Sequence, residues 1–278
     1  MAQDQTPGEK PGHPPAQATL HEVRTAENSA PYLLPKLQSM KESNPHLKLL
    51  DVGAGSGTIS VSFAKLIPDG HVTGIDVNST ILPRARAVAE MAGVENIEFQ
   101  QGSVYKLPFA DETFDITCCH QVLIHIGNPW DALREMLRVT KRGGIVAARE
   151  GDYESECVWP ELPELGKFHT LMAGRMSSGG GTPTAGRQLV SWALKAGVER
   201  SQITLSFSTS SYHTPSERAS LSKGLCDQLR GGSLREIALK FGLGNDNDLE
   251  EMAKAWEEWA KREDASLAML HGEILVQK

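Results

Sequence analysis

Two carboxylates and a run of glycines are the residues in this 278-residue sequence best placed to do chemistry together. In Leu49-Leu50-Asp51-Val52-Gly53-Ala54-Gly55-Ser56-Gly57-Thr58 an apolar run enters three glycines and then a helical pattern. Glycine lets the backbone come close to a bound ligand, and the turn after the first strand of an α/β sheet is where such sheets hold nucleotides. The spacing departs from the GxGxxG dinucleotide fingerprint, which disfavours a nicotinamide dehydrogenase. The second carboxylate, Asp76, ends Val72-Thr73-Gly74-Ile75. An acid at the end of the second strand can accept hydrogen bonds from both ribose hydroxyls, and Asn78 and Ser79 are at hand to cap the next helix in its place. The pair points to a ligand containing adenosine.

A second group lies in Cys118-Cys119-His120-Gln121-Val122-Leu123-Ile124-His125. A neutral imidazole can take a proton near neutral pH, so His120 is the candidate general base. The competing reading has His120 and Gln121 lining the ligand through hydrogen bonds, with His125 packing near the surface. Metal binding needs further ligands at suitable spacing, which the sequence does not supply, and none is expected. Near the N-terminus Arg24, Asn28 and Tyr32 lie four apart, on one face of a helix. In the second half Trp159, Phe168, Met172, Met176, Trp192, Phe207 and Tyr212 are candidates for an apolar pocket, with Arg175 a charge able to meet a polar substrate.

The elements that must position these residues follow from periodicity. A helix is expected over His21 to Gln38, interrupted at Pro31. Apolar runs at 48–52, 71–77, 97–101, 114–119 and 144–148 alternate with amphipathic segments at 58–66, 80–92 and 130–139. Strand and helix in alternation predict a doubly wound α/β fold with a mostly parallel sheet. Past Arg149 the pattern loosens. The glycines of 177–184 predict a flexible turn, followed by a helix over 185–196, a strand over 203–208, a helical insertion over 214–262 and a last strand over 268–276. The helix over 250–262, with Trp256 and Trp259, has a charged face expected to meet solvent.

The segment from Leu47 to Ala148 resembles the class I S-adenosylmethionine-dependent methyltransferases, particularly the ubiquinone/menaquinone-biosynthesis branch. The resemblance rests on Leu50 to Gly57, Gly74-Ile75-Asp76, Leu107-Pro108-Phe109, Phe114-Asp115 and Arg138-Val139-Thr140-Lys141-Arg142-Gly143-Gly144. It implies a Rossmann-like sheet of seven strands and a cofactor, S-adenosylmethionine, released as S-adenosylhomocysteine. It implies cofactor contacts at Asp51, Gly53, Ala54, Gly55, Asp76, Val77, Gly102, Ser103, Val104, His120, Gln121 and Tyr32. The family's acid after the third strand is replaced here by Ser103, which can bond the adenine amino group without charge. Substrate contacts are expected at Arg24, Asn28, His125, Phe168, Met172 and Arg175. The N-terminal helix resembles the lid that branch members fold over the cofactor. The chain is also similar to fungal secondary-metabolite methyltransferases of the gliotoxin type, which implies S-methylation of a thiol or dithiol. Methylation of O or N in another small metabolite, and a methyltransferase-like regulator without turnover, stay open.

The organisation expected is a disordered arm over 1–18 and one methyltransferase domain over 19–278. Within it, 19–46 form the lid, 47–150 the cofactor core and 151–278 the substrate side. With 40% hydrophobic and 23% charged residues the composition is that of a soluble protein, and no apolar run is long enough to span a bilayer. A net charge of −7 argues against a nucleic-acid substrate, which calls for clustered Lys and Arg, and favours a small molecule. Four cysteines without metal spacing fit a reducing, cytoplasmic setting. Oligomeric state has no signal in the sequence.

Overall fold

The computed structural model describes residues 24–278; the expected arm and the start of the first helix lie outside the described residues. A short helix α1 (Ala26–Ser29) leads into α2 (Leu34–Ser43). The single helix expected over 21–38 is thus broken. Pro31 lacks the N–H that would continue α1, and the chain restarts with Pro35 in the first turn of α2, where a missing donor costs nothing.

The core then alternates as periodicity requires: β1 (Lys48–Val52), α3 (Thr58–Leu66), β2 (His71–Asp76), α4 (Leu82–Met91), β3 (Ile97–Gln101), β4 (Phe114–His120), α5 (Pro129–Val139) and β5 (Thr140–Trp159). After it come α6 (Pro163–Ser177), α7 (Ala185–Lys195), β6 (Ile203–Tyr212), α8 (Pro215–Gly231), α9 (Ser233–Lys240), α10 (Asp246–Lys261) and β7 (Ser266–Gln277). The seven strands form one sheet in the order β3-β2-β1-β4-β5-β7-β6. β1 to β5 pair in parallel, and β7 runs antiparallel to both β5 and β6. Strand order reverses between β1 and β4, so the crevice beyond their carboxyl ends is the ligand position of such a sheet.

Two departures shape that crevice. β5 covers 20 residues where a strand over 144–148 was expected. Its second half and the ends of β6 and β7 continue past the parallel core as an antiparallel ribbon. α6, which the loosened pattern concealed, packs with α8, α9 and α10 as a helical cap whose core is continuous with the sheet. The Phe168 and Trp256 rings meet edge to face at 5.2 Å, and the Trp256 and Trp259 rings at 5.3 Å. Burying such rings is worth about 1.5–3 kcal/mol each, enough to hold the insertion as part of the domain. The opposite face of α10 does meet solvent, with Glu250 and Glu257 paired to Arg230.

The glycine-rich turn is not free. Thr182 donates its N–H to the Ile124 carbonyl at 3.0 Å, and a Cβ on Gly181 would sit 2.1 Å from that same oxygen. These glycines let two loops touch.

Candidate active site

The glycine turn after β1 forms the first wall. Gly53 (φ 76°) and Gly55 (φ 54°) are left-handed, a region that costs an L-residue about 1 kcal/mol or more. A Cβ on Gly53 would meet Val122 Cγ2 at 2.4 Å, whereas one on Gly55 would meet no atom within 4 Å. The turn therefore packs tightly on one side and faces open space on the other. The Gly55 N–H donates to Asp76 Oδ2 and the Asn78 N–H to Asp76 Oδ1, each at 2.9 Å. Two backbone bonds fix the carboxylate and leave each oxygen a further lone pair. Asp51 is buried under the turn and accepts from Ser60 Oγ at 2.5 Å. Burial, opposed by that bond, raises its pKa to about 7.

The loop after β4 forms the second wall. Gln121 is left-handed too (φ 58°), a strain of about 1–3 kcal/mol that persists only where the surroundings impose it. They do: the N–H groups of Val122, Leu123 and Ile124 converge on the buried Glu150 carboxylate at 3.0, 2.8 and 3.2 Å, and the Gln121 N–H donates to the Arg149 carbonyl. Burial pushes Glu150 up to about 7 against those bonds. The Gln121 side chain bonds His271 Nδ1 at 3.0 Å, and His271 Nε2 meets Ser210 Oγ at 2.8 Å. Burial, with Arg149 and Arg24 adding to it, drives His271 down to about 3 and holds it neutral.

Between these walls lies one continuous cavity, open to solvent at its mouth. One end is lined by Asp51, Gly53, Ala54, Gly55 and Asp76. Arg24, His120, Gln121 and His125 line the cavity as well, and the cap with the β5–β7 ribbon adds a mostly apolar chamber. Phe168, Met172, Arg175, Met176 and Tyr212 line that chamber. His125 therefore faces the cavity, not the surface.

Other candidates lie elsewhere. Val77, Gly102, Ser103 and Val104 follow the ends of β2 and β3 next to Asp76 and are not part of the cavity wall. Ser103 Oγ accepts from the Tyr105 N–H, and Val104 is buried. Because the N-terminal helix is broken, Arg24, Asn28 and Tyr32 do not share a face. Asn28 turns back to accept from the Thr25 N–H and the Ser29 hydroxyl. Tyr32 packs with the apolar cluster of α1 and α2, its phenol raised well above the ordinary tyrosine range by burial. Trp159 (56% exposed) and Phe207 (51%) face outward, and Trp192 is buried away from the cavity.

Sequence reasoning missed His271, Ser210, Tyr153 and Glu156. The signal existed for two of them. Ser206, Ser208 and Ser210 alternate along β6, and His271 and Glu273 along β7, which places all five on one face of the sheet.

The fold is shared more widely than one activity. The chain superposes on the cyclase SpnF with a TM-score of 0.54 at 20% identity, over 95% of this chain and 98% of that one. It superposes on a phosphoethanolamine N-methyltransferase of Haemonchus contortus, in complex with S-adenosylhomocysteine, with a TM-score of 0.50 at 16% identity, over 87% and 53%. Sequence decides what the fold does not. Residues 43–177 match the family model of a methyltransferase domain. A Schizosaccharomyces pombe protein named "Uncharacterized methyltransferase C1B3.06c" is 34% identical over 94% of this chain and 93% of its own. This chain belongs to the methyltransferases. Another relative, "Probable methyltransferase ltbC" of Aspergillus luteorubrus, is 30% identical over 99% of this methyltransferase and 98% of its own length.

Proposed function

We propose that this methyltransferase transfers a methyl group from S-adenosylmethionine to a thiol of a small, largely apolar metabolite. The observation that carries the reading is the single cavity joining the Asp51–Asp76 end to the apolar chamber, since transfer requires donor and acceptor in one enclosure. When bound, the cofactor supplies a methyl activated on a sulfonium.

The residues present fit it. Asp76, held by two backbone donors, has lone pairs for both ribose hydroxyls. The open side of Gly55 receives the methionine portion beside Gly53 and Ala54, and Asp51 takes its ammonium. Val77, Gly102, Ser103 and Val104 lie on the adenine side. His120 and Gln121 line the same cavity and orient the acceptor. α1–α2 and the cap over 214–262 exclude water, and alignment of this kind is worth roughly 7–11 kcal/mol of barrier.

A thiol suits what the chain supplies. His271 is too acidic to serve as a base near neutral pH. A thiol of pKa about 8.5 ionises partly unaided. The acceptor sulfur then takes the methyl and its proton passes to water. Incubation with methyl-labelled cofactor and a metabolite extract tests the reading. Label should enter a small molecule, and should vanish when the extract's thiols are first blocked with N-ethylmaleimide and the reagent quenched. Label that survives blocking assigns transfer to O or N; no labelled small molecule in either extract points to a binding protein without turnover.

A further inference from the structure

The β6–β7 face that lines the chamber is polar at one place. Facing pairs along it are Ser206–Glu273, Ser208–His271, Ser210–Met269 and Tyr212–Leu267. Of these, Ser210, Tyr212, Leu267, Met269 and His271 line the cavity. The three serines differ in where their hydroxyl hydrogen goes. Ser206 and Ser208 donate to the Glu273 carboxylate at 2.8 and 2.5 Å, so both are spent within the wall. Ser210 instead meets His271 Nε2 at 2.8 Å, and which of the two donates depends on the ring's tautomer.

That tautomer is set at the other ring nitrogen. The Gln121 amide nitrogen lies 3.0 Å from His271 Nδ1. An amide nitrogen only donates, so Nδ1 carries the lone pair and Nε2 the hydrogen. His271 is buried (3% exposed), and a second ring proton would set an N–H against the amide N–H. Gln121 itself is pinned, its left-handed backbone tied by its N–H to the Arg149 carbonyl. The bonds therefore run one way, from Gln121 to His271 to Ser210. Ser210 Oγ receives a hydrogen and keeps its own, and its one hydrogen-bond partner among the described residues is that ring. A donor beside Leu267 and Met269 is costly to leave unmet, and a carbonyl oxygen meets it.

We propose that Ser210 is a specificity-determining residue that donates a hydrogen bond to a carbonyl oxygen of the methyl acceptor, with Gln121 and His271 as positioning residues that keep its hydroxyl a donor. This rests on the reading of the chamber as the acceptor site. The carbonyl is a neutral handle apart from the methylated atom, because an atom whose lone pair is engaged by Ser210 is a poorer nucleophile.

The test uses the whole protein with saturating S-adenosylhomocysteine and two probes of nearly equal shape, 1-acetonaphthone and 1-isopropenylnaphthalene, which differ by a carbonyl oxygen in place of a methylene group. Equilibrium dialysis measures both. Ser210→Ala should weaken the ketone by roughly three- to tenfold, the size of one neutral hydrogen bond, and leave the hydrocarbon within about twofold. Ser210→Thr, which keeps the hydroxyl, should bind the ketone as the wild type does. In protein labelled with ring-15N histidine, with His271 assigned through His271→Asn, NMR should show the neutral Nε2–H form near neutral pH, and Gln121→Met should let the Nδ1–H form appear beside it. No binding of the ketone, equal changes for both probes in Ser210→Ala, or a loss in Ser210→Thr as large as in Ser210→Ala overturns the assignment of Ser210. A wild-type ring that is Nδ1–H or doubly protonated, or a ring unchanged in Gln121→Met, overturns the positioning roles. Displacement of S-adenosylhomocysteine by the ketone overturns the reading of the chamber instead, and failure of the wild type to bind S-adenosylhomocysteine the methyltransferase reading, so the failures are distinct.

Discussion

At the scale of single residues the account turns on Asp76 and Asp51. Asp76→Ala should weaken S-adenosylhomocysteine binding by roughly tenfold to a hundredfold, since hydrogen bonds to a charged group contribute about 1.5–3 kcal/mol. Calorimetry checks it, and unchanged affinity in a folded variant removes Asp76 from the site. Asp51 predicts a pH dependence. With a pKa of about 7 in the unliganded protein, it is increasingly protonated below neutrality, whereas the cofactor's ammonium needs the carboxylate. Affinity should therefore fall as pH drops from about 7.5 to 5.5, and Asp51→Asn should flatten that profile while binding more weakly at the upper end. A wild-type profile as flat as the variant's contradicts the assignment. His120→Ala should lower turnover only modestly, because alignment outweighs base catalysis; a loss beyond roughly a thousandfold with cofactor affinity intact would make His120 a general base. Asp51, Asp76 and the glycine turn were legible in the sequence because strand ends and glycine spacing are local signals. Tyr153 and Glu156 were not, since their place in the cavity comes from how far β5 extends, which depends on pairing with a β7 segment more than 100 residues away.

At the scale of elements, the alternating core from β1 to α5 was legible almost to the residue. Each strand there is a short apolar run and each helix an amphipathic one, so local pattern and final environment agree. The second half was less so. β5 reaches 20 residues because the ribbon with β7 satisfies its backbone beyond the parallel core. α6 carries Phe168, Met172 and Met176 toward the cap and cavity rather than the sheet, and its mixed sequence gives a weak periodicity. Residues of the cap and Arg24, just before α1, line the same cavity from different parts of the chain, which predicts that these regions close on ligand. Amide hydrogen exchange in α1–α2 and in α8–α10 should slow when cofactor and acceptor are bound. Equal exchange with and without saturating ligands would contradict closure.

At the scale of the whole molecule, this chain of 278 residues carries buried acids beneath its site, and their burial should cost stability. Asp51 has its pKa raised from 3.8 to about 7 on folding. Between those values the folded state holds a proton that the unfolded chain has released, so this group's contribution to stability declines as pH rises from about 4 to about 7 and stays low above. Asp51→Asn should be the more stable protein above neutrality in denaturant melts without ligand, with the difference fading toward pH 4; a difference that stays constant with pH would show that the carboxylate does not titrate this way. The same burial that costs stability keeps the site dry for transfer. That role is tested most directly by incubating the protein with methyl-labelled S-adenosylmethionine and a metabolite extract, with Asp76→Ala alongside, and following the label by mass spectrometry. The account predicts a labelled small molecule formed by the wild type and lost or greatly slowed in the variant when cofactor is limiting. Label that enters no small molecule, or that transfers equally well without the Asp76 carboxylate, would contradict it.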